Sequence, residues 1–500
     1  MKIISGLPYD GNRKMIMREI NSEINNFVNS ACDRLIEDPG VLRKVEWEAL
    51  RMCMSILGKI DGMILADKRV GEAAESEGMR SRPAHVRSGR QVKRDVLLPG
   101  GIRMRVETSF CAPKAGSSDH RGKRGKEGGG VYPEFASLGI LEGKTPLTAD
   151  LLLRFAVQLP SFDLTRKELA QLGFPFDLKT IGCTVRDHGK QAVSARNAQL
   201  AAWRRGELIP GKELEGRRVV AGIDGGRIRI RTNKRRTKKG KKQKYATPWR
   251  EPRLLIIYVI DSHGKIDRNF SVQIDATLAG PDAVMELLAF HLYRLGAGKA
   301  ELVEFVSDGA PWIWNRLDQV IAMVKLDPKR CYKVLDFYHA CGHVSSALNV
   351  CGLKAKEKKR QFTRLKKLLK LGKPDEVVRA LSEYKTRVRG KENRKNLQTD
   401  IDYLQKRLPL MRYDTFKRKH LALGSGAVES AIRRVINLRI KGPAIYWNKE
   451  TAEVVLHLRA QLLSGRWDSM MDSIREHSKV SRHRNIYFNP TICAKNKEAA

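Results

Sequence analysis

The sequence predicts an α/β core that is interrupted by an all-helical insertion and preceded by a mainly helical N-terminal region. Apolar residues recur at helical spacing over residues 10–60 and again over 146–200. From residue 215 onward, short apolar runs alternate with amphipathic segments, as in an α/β domain. Residues 351–420 break that alternation with a run of basic amphipathic helices. A chain of 500 residues with 42% hydrophobic residues is long enough for roughly two to four domains.

The composition is dominated by positive charge. Lys and Arg number 95 against 55 Asp and Glu, a net charge of +40, and such an excess indicates a polyanionic partner, nucleic acid first. Ribosome association and a merely basic soluble protein are the alternatives. The N-terminus lacks the apolar core of a signal peptide, and the longest apolar run, residues 254–260, is far shorter than the ~20 residues of a membrane helix. The eight cysteines include no CxxC pair, so we expect a soluble, intracellular protein with reduced thiols.

The N-terminal part is predicted to contain three regions. Residues 1–71 are helical, and residues 72–145 are a basic Gly/Ser-rich linker with short strands such as "RMRVETSF". Residues 146–210 resemble a DNA-binding helix-turn-helix, in which a helix over 166–172 meets a Gly-Phe-Pro turn and a second helix begins near Asp177 or Leu178. A plain helical hairpin is the alternative. The second helix would present four side chains to a DNA groove: Lys179, Thr180, Thr184 and Arg186.

The α/β core is predicted over residues 211–350 and 421–466, on either side of the helical insertion at 351–420. Its order is three strands joined by short turns, then helix, strand, helix and strand, which fits an RNase H-like sheet. Residues 467–500 remain as a C-terminal tail.

Three acids stand at positions where this fold would bring them together. Asp224 ends the first strand, Asp308 ends the fourth, and Glu429 lies in the first turn of the helix after the insertion. Carboxylates are the ligands of Mg²⁺, and two such ions roughly 3.5–4 Å apart can drive phosphodiester displacement. The sequence therefore predicts that these acids are catalytic and hold two Mg²⁺ ions, for which Mn²⁺ could substitute.

The helix that carries Glu429 has a predicted packing face. An apolar stripe would face the sheet: Val428, Ala431, Ile432, Val435 and Ile436. Glu429, Arg433, Asn437 and Lys441 form an i, i+4 row along the border of that stripe. The alternative is a surface ion pair between Glu429 and Arg433, worth a few tenths of a kcal/mol.

A cationic arm is predicted between the first two strands. Residues 231–244 contain 9 basic residues in 14, at the tip of a hairpin. Such an arm would bind phosphates without reading sequence. A solubilising loop is the alternative. The predicted DNA contacts are Lys234, Arg235, Arg236, Lys238 and Lys239.

Four motifs in order, "GIDGGRIRIR", "VSDGAPWIWNRL", "VLDFYHA" and "GSGAVESAIRRVINLRIKGPAIYW", resemble DDE transposases of bacterial insertion sequences, specifically the ISKra-like group. The resemblance covers roughly residues 130–465. It implies an RNase H-like catalytic core with a helical insertion before the glutamate, and Asp224, Asp308 and Glu429 as the metal-binding triad. It also implies binding of double-stranded DNA, both the element's terminal repeats and the target. Relatives often carry a CxxC-like pair where this chain has only Cys111, so no zinc knuckle is expected there.

Further residues follow from the same motifs. Asp336 and His339 resemble the D/C-x-x-H motif of Mutator-like transposases, in which Asp336 would support the metal ligands from behind and His339 would touch DNA or the sheet. Trp447 could stack on an unpaired base, whereas Trp312 and Trp314 are expected to pack against the core. Three cations of the last motif are further predicted DNA contacts: Arg433, Arg439 and Lys441.

The sequence therefore predicts a DNA transposase that cleaves and joins strands as a homo-dimer or higher oligomer on DNA, in the bacterial cytoplasm at the nucleoid. Two alternatives stay open. One is an RNase H-like endonuclease without strand transfer, and the other is an element protein that binds DNA without catalysis.

Overall fold

The chain forms two compact units, Met1–Ala195 together with Ser469–Ala500, and Arg196–Asp468. The computed structural model describes these residues: 2–3, 13–83, 85–114, 130–233 and 245–477. Within these ranges no helix has both the length and the apolar character needed to cross a membrane.

The first unit is mainly helical, as the sequence predicts for its beginning. Ile16 and Ile20 of the first helix are buried, and Ile56 and Met63 of the second pack against them. The helices of this unit are α1 (Arg13–Glu37), α2 (Leu42–Ala66), α3 (Lys68–Arg80), α4 (Pro133–Ser137), α5 (Pro146–Gln158), α6 (Phe162–Gln171) and the first part of α7 (Leu178–Arg204).

The prediction that residues 72–145 form a linker is wrong for the described residues, because they form regular helices and strands. Its first residues complete α3, and an antiparallel pair of long strands follows, β2 (His85–Leu97) and β3 (Arg103–Pro113), with β1 (Lys2–Ile3) on the other side of β3. The pair folds because Val96, Met104 and Val106 are buried. Arginines on the solvent side of the pair gave the segment the composition of a linker. Residues 115–129 lie outside the described residues.

The second unit is built on a five-stranded mixed sheet. Its order is β10-β9-β4-β11-β12, with β9 antiparallel to both of its neighbours and β4, β11 and β12 parallel. The strands of this unit are β4 (Arg218–Gly225), β5 (Ile228–Arg229), β6 (Thr232–Asn233), β7 (Tyr245–Ala246), β8 (Trp249–Arg250), β9 (Arg253–Ile260), β10 (Gln273–Thr277), β11 (Leu302–Ser307) and β12 (Cys331–Leu335).

Helices cover both faces of this sheet. Val219, Ala221 and Ile223 of β4 pack into a core shared with α8 (Pro281–Arg294) and α10 (Leu317–Val324), so the alternate residues of β4 face the opposite side. On that opposite side α16 (Gly426–Ile432) packs against β4 and β9, and α17 (Lys449–Leu463) packs against β10. The helices of this unit are α8 (Pro281–Arg294), α9 (Pro311–Trp314), α10 (Leu317–Val324), α11 (Phe337–Asn349), α12 (Ala355–Lys370), α13 (Pro374–Ser382), α14 (Lys391–Gln405), α15 (Tyr413–Arg418), α16 (Gly426–Ile432) and α17 (Lys449–Leu463). The last helix, α18 (Trp467–His477), belongs to the first unit from Ser469 onward.

The predicted boundaries of this unit shift at both ends. From Arg196 onward α7 belongs to the second unit, because Leu200 is buried in its core and the ring of Trp203 lies 6.2 Å from that of Phe290. The predicted boundary at residue 210 is therefore too late. The predicted tail begins as a helix, α18, whereas residues 478–500 lie outside the described residues. The insertion at 351–420 is helical as predicted, with α12 to α15 as its helices.

Candidate active site

Strand register places three aspartates at one level of the sheet. In the parallel ladders Ser307 pairs with Ile223 on one side and with Leu335 on the other. The next residue of each strand is an aspartate: Asp308 in the middle, Asp224 on one side and Asp336 on the other. Adjacent strands lie about 4.8 Å apart, so the carboxyl edge of the sheet carries a row of three acids.

Helix α16 brings Glu429 to this row. Gly222 precedes Asp224 by two residues and therefore faces the same side of β4. A Cβ at Gly222 would lie 3.1 Å from Cβ of Val428, so the absence of a side chain lets α16 approach the strand closely. Glu429 follows Val428, and its exposed side chain lies 3.3 Å from the Oγ of Ser425.

The pKa of Asp224 is affected by both of the other acids of the predicted triad. The pKa of Asp224 is raised to about 6, chiefly by burial and in part by the negative charges of Asp308 and Glu429. A hydrogen bond of 2.6 Å from the N–H of Gly225 and the nearby ring of His339 act in the opposite direction. The three acids therefore share one electrostatic environment, in which a bound cation would relieve their mutual repulsion.

The loop after β11 holds Asp308 in place. Its Oδ1 accepts from the N–H of Ala310 at 3.0 Å, and its carbonyl accepts from Nε1 of Trp314 at 2.6 Å. Trp312 and Trp314 both pack against the core, which confirms the prediction for these two residues.

Asp336 organises the turn that leads to Glu429. It is 2% exposed, and its carboxylate accepts from the N–H of His339 at 2.7 Å and from the N–H of Ser425 at 2.5 Å. The Ser425 hydroxyl donates to it at 2.6 Å while also facing Glu429. Ser425 thus connects the third aspartate of the row to the glutamate. Sequence reasoning missed Ser425, although it stands in the same "GSGAVES" motif as Glu429.

The donor set fits a hard cation such as Mg²⁺, because it consists of carboxylate oxygens on neighbouring elements. Among the described residues, however, no three His, Cys, Asp or Glu side chains converge into a group that could hold a metal ion. The acids are therefore assembled as neighbours, but their side chains do not form a closed set of ligands.

The apolar stripe predicted on the helix after the insertion is confirmed, since all five of its residues are buried. The helix continues past α16 as a π turn, Arg433–Asn437, in which the N–H of Leu438 donates to the carbonyl of Arg433 at 3.0 Å. This turn interrupts the regular i, i+4 row predicted from Glu429. Glu429 and Arg433, both among the described residues, form no ion pair with each other.

The predicted DNA contacts of the helix-turn-helix differ in exposure to solvent. Lys179 is exposed near the start of α7, whereas Thr184 is 2% exposed and its hydroxyl donates to the carbonyl of Thr180 at 2.8 Å. Arg186 is half-buried, with Nη2 3.0 Å from Sγ of Cys183. The prediction that Thr184 enters a DNA groove is wrong, because α7 is a 27-residue helix that turns this face inward.

The predicted DNA contacts of the last motif also include both exposed and buried side chains. Arg433 and Lys441 are exposed. Arg439 is 3% exposed, its guanidinium lies 4.9 Å from the ring centre of Trp447, and burial lowers its pKa to about 10. Trp447 is 7% exposed and its Nε1 donates to the carbonyl of Ile440 at 3.0 Å. The DNA contact predicted for Arg439 and base stacking by Trp447 are therefore wrong, because the two side chains pack on each other.

The base of the cationic arm is described, and its tip is not. Two short antiparallel ladders, β5 with β8 and β6 with β7, form the predicted hairpin up to residue 233 and from residue 245. Arg231 lies over the ring of Tyr245 at 4.3 Å, and Arg229 lies over that of Trp249 at 4.9 Å. The five predicted contacts between 234 and 239 lie outside the described residues.

No family model, no curated protein and no solved structure matches the chain.

Proposed function

We propose that this protein is a DNA transposase that binds the ends of its mobile element and catalyses metal-dependent strand cleavage and strand transfer. The observation that carries the proposal is that three acids from distant parts of the chain are neighbours at one edge of the sheet. Asp224, Asp308 and Glu429 are separated by 84 and 121 residues (308 − 224 and 429 − 308), yet the latter two both raise the pKa of the first. The four ordered motifs that resemble ISKra-like transposases support the same proposal.

The core is proposed to be RNase H-like. Support comes from the strand order, in which the first three strands form an antiparallel meander and the last two add in parallel beside the first. The helical insertion falls between the last strand and the helix that carries Glu429, as the family resemblance implies.

Each acid has a proposed role. Asp224 and Asp308 stand at strand ends, where the ladder holds their backbones, and would be the fixed ligands of Mg²⁺. Glu429 stands on a helix and would be the adjustable ligand. Asp336 and Ser425 would orient Glu429 from behind. The chemistry supplied by bound Mg²⁺ is activation of the attacking oxygen and stabilisation of the leaving one.

The cationic surface would bind the DNA. The net charge of +40 favours a polyanion, and Lys179, Arg433 and Lys441 remain exposed as candidate phosphate contacts. The arm at 231–244 would add further contacts. We propose that the protein acts on DNA in the bacterial cytoplasm, as a dimer or larger assembly that holds two element ends.

The test is a cleavage and joining assay on DNA that carries the genomic flanks of the gene. We expect Mg²⁺-dependent nicking at the element ends, and joining of pre-cleaved ends to target DNA. Asp224→Asn, Asp308→Asn and Glu429→Gln should each abolish both steps with DNA affinity retained.

The matched control is Asp318→Asn, an exposed acid paired with Lys333, which should leave activity unchanged. Nicking without joining would indicate an endonuclease, and DNA binding without nicking a non-catalytic protein. Full activity in any of the three variants would remove that residue from the triad.

A further inference from the structure

The helical insertion reaches the loop that carries Asp308. Arg407, just after α14, is 9% exposed, and its Nε donates to the carbonyl of Gly309 at 3.0 Å. Its Nη2 donates to the same carbonyl, and its Nη1 donates to the carbonyl of Tyr403 at 2.8 Å. One guanidinium therefore holds the carbonyl of the Gly309–Ala310 peptide with two donors, and the N–H of that same peptide donates to Oδ1 of Asp308.

Tyr403, one turn earlier on α14, lies against the same peptide. A Cβ at Gly309 would fall 1.9 Å from the Tyr403 hydroxyl oxygen, so only glycine is compatible with this contact. Burial raises the pKa of Tyr403 to about 12, and the negative charges of Asp308 and Asp336 also raise it. Because Gly309 follows Asp308 directly, this contact places the hydroxyl beside the aspartate row.

A stack of three groups fixes Tyr403. The guanidinium of Arg407 lies 4.0 Å from its ring centre, and the ring of His343 lies 3.5 Å away at an angle of 19°. His343 belongs to α11, and its Nδ1 lies 2.8 Å from Oδ1 of Asp400 on α14. This contact joins α11 to α14 through a half-buried histidine and the carboxylate of Asp400, which is 6% exposed.

We propose that Arg407 and Tyr403 are positioning residues, through which the insertion holds the Gly309 peptide and so sets the direction of the Asp308 carboxylate. This inference rests on the proposed function, since it assumes that Asp308 is a metal ligand. The insertion is then a structural part of the active site, in addition to any DNA contact made by its cationic helices.

The test compares Arg407→Met, Arg407→Lys and Tyr403→Phe with wild type. Mn²⁺ affinity is measured by electron paramagnetic resonance without DNA, alongside the Mg²⁺ concentration for half-maximal nicking and the melting temperature. We expect Arg407→Met to weaken Mn²⁺ binding about tenfold or more, as groups behind metal ligands do. The Mn²⁺ affinity of Arg407→Lys should lie between those of wild type and Arg407→Met, because a lysine has one nitrogen that can donate to the carbonyl where the guanidinium uses two. Tyr403→Phe keeps the ring stack and should show a smaller loss.

The matched control for Arg407→Met is Arg394→Met, on α14. Its Nε donates to the carbonyl of Val388 at 3.0 Å, so this variant also loses an arginine–carbonyl bond, but inside the insertion. It should lower the melting temperature without changing Mn²⁺ affinity.

The outcomes separate the two proposals. If Asp308→Asn loses Mn²⁺ binding while Arg407→Lys and Tyr403→Phe bind like wild type, the positioning role is wrong and the proposed function stands. If Asp308→Asn itself binds Mn²⁺ like wild type, the metal-binding role of Asp308 fails and the positioning role falls with it.

Discussion

Replacement of Glu304 by glutamine tests how the sheet accommodates a buried acid. Glu304 lies on β11 and is fully buried; its Oε2 accepts from the N–H of Ala422 at 3.0 Å, and its Oε1 has no partner among the described residues. Burial raises its pKa from 4.5 to about 8, although the Ala422 bond and the charge of Arg218 act in the opposite direction. At neutral pH the side chain is therefore protonated in the folded protein and ionised in the unfolded chain.

The sign and size of the effect follow from this difference. Between pH 4.5 and about 8 the folded state binds more protons than the unfolded state, so stability is full below pH 4.5 and is lost as pH rises through 8. At about 1.4 kcal/mol per pH unit, the loss reaches about 3 kcal/mol at pH 7 and about 5 kcal/mol above pH 8. Glutamine keeps the acceptor for Ala422 and does not titrate, so Glu304→Gln should escape this loss.

The assay is urea denaturation of wild type and variant at pH 5, 6.5 and 8. We expect the two proteins to be similar at pH 5 and the variant to be increasingly the more stable as pH rises. Glu301→Gln, an exposed residue just before the same strand, is the control and should show a difference that does not change with pH. A pH-independent difference for Glu304→Gln would refute the reasoning, because it would mean that Glu304 does not titrate between these values.

Three further predictions follow from individual contacts. Gly222→Ala places a Cβ 3.1 Å from that of Val428, so α16 must shift by a few tenths of an ångström. We expect the free energy of unfolding, measured by urea denaturation, to fall by about 1–3 kcal/mol and Mn²⁺ binding to weaken. Unchanged values for both would contradict the close packing. Arg196→Met leaves the buried carboxylate of Asp275 without the donor that now lies 3.0 Å away, which should cost about 3–5 kcal/mol, and the double variant with Asp275→Asn should recover part of that loss. Because the pKa of Asp224 is about 6 and a metal binds the ionised form, Mn²⁺ affinity should fall up to tenfold per pH unit below 6, and a flat profile from pH 5 to 7.5 would exclude Asp224 as a ligand.

Local patterns were sufficient to predict much of the core and the acids. An apolar run that ends in an acid identified the strand ends at Asp224 and Asp308, and the apolar stripe beside Glu429 identified the packing face of α16. These features repeat with a strand or helix period, and burial of one face follows directly from that period. The neighbouring positions of the acids follow from strand order.

Other features depend on contacts that no local pattern reveals. Thr184 has a polar side chain, but a long helix can satisfy a threonine hydroxyl with its own carbonyls and turn the residue inward. Arg439 and Trp447 are residue types that often contact DNA, and no local pattern in the sequence indicates that their side chains pack on each other. Arg407 and Tyr403 lie in a basic helical segment. Their approach to Gly309 depends on how the whole insertion folds back, because Gly309 precedes Arg407 by 98 residues in the sequence.

The central claim is that Asp224, Asp308 and Glu429 jointly hold divalent cations. The most direct measurement is a crystal structure of the protein with Mn²⁺, in which anomalous scattering locates the metal. We expect anomalous density at the carboxyl edge of the sheet, within coordination distance of carboxylate oxygens from all three residues. Density elsewhere, or density at that edge with Glu429 turned away and no other acid in its place, would contradict the claim.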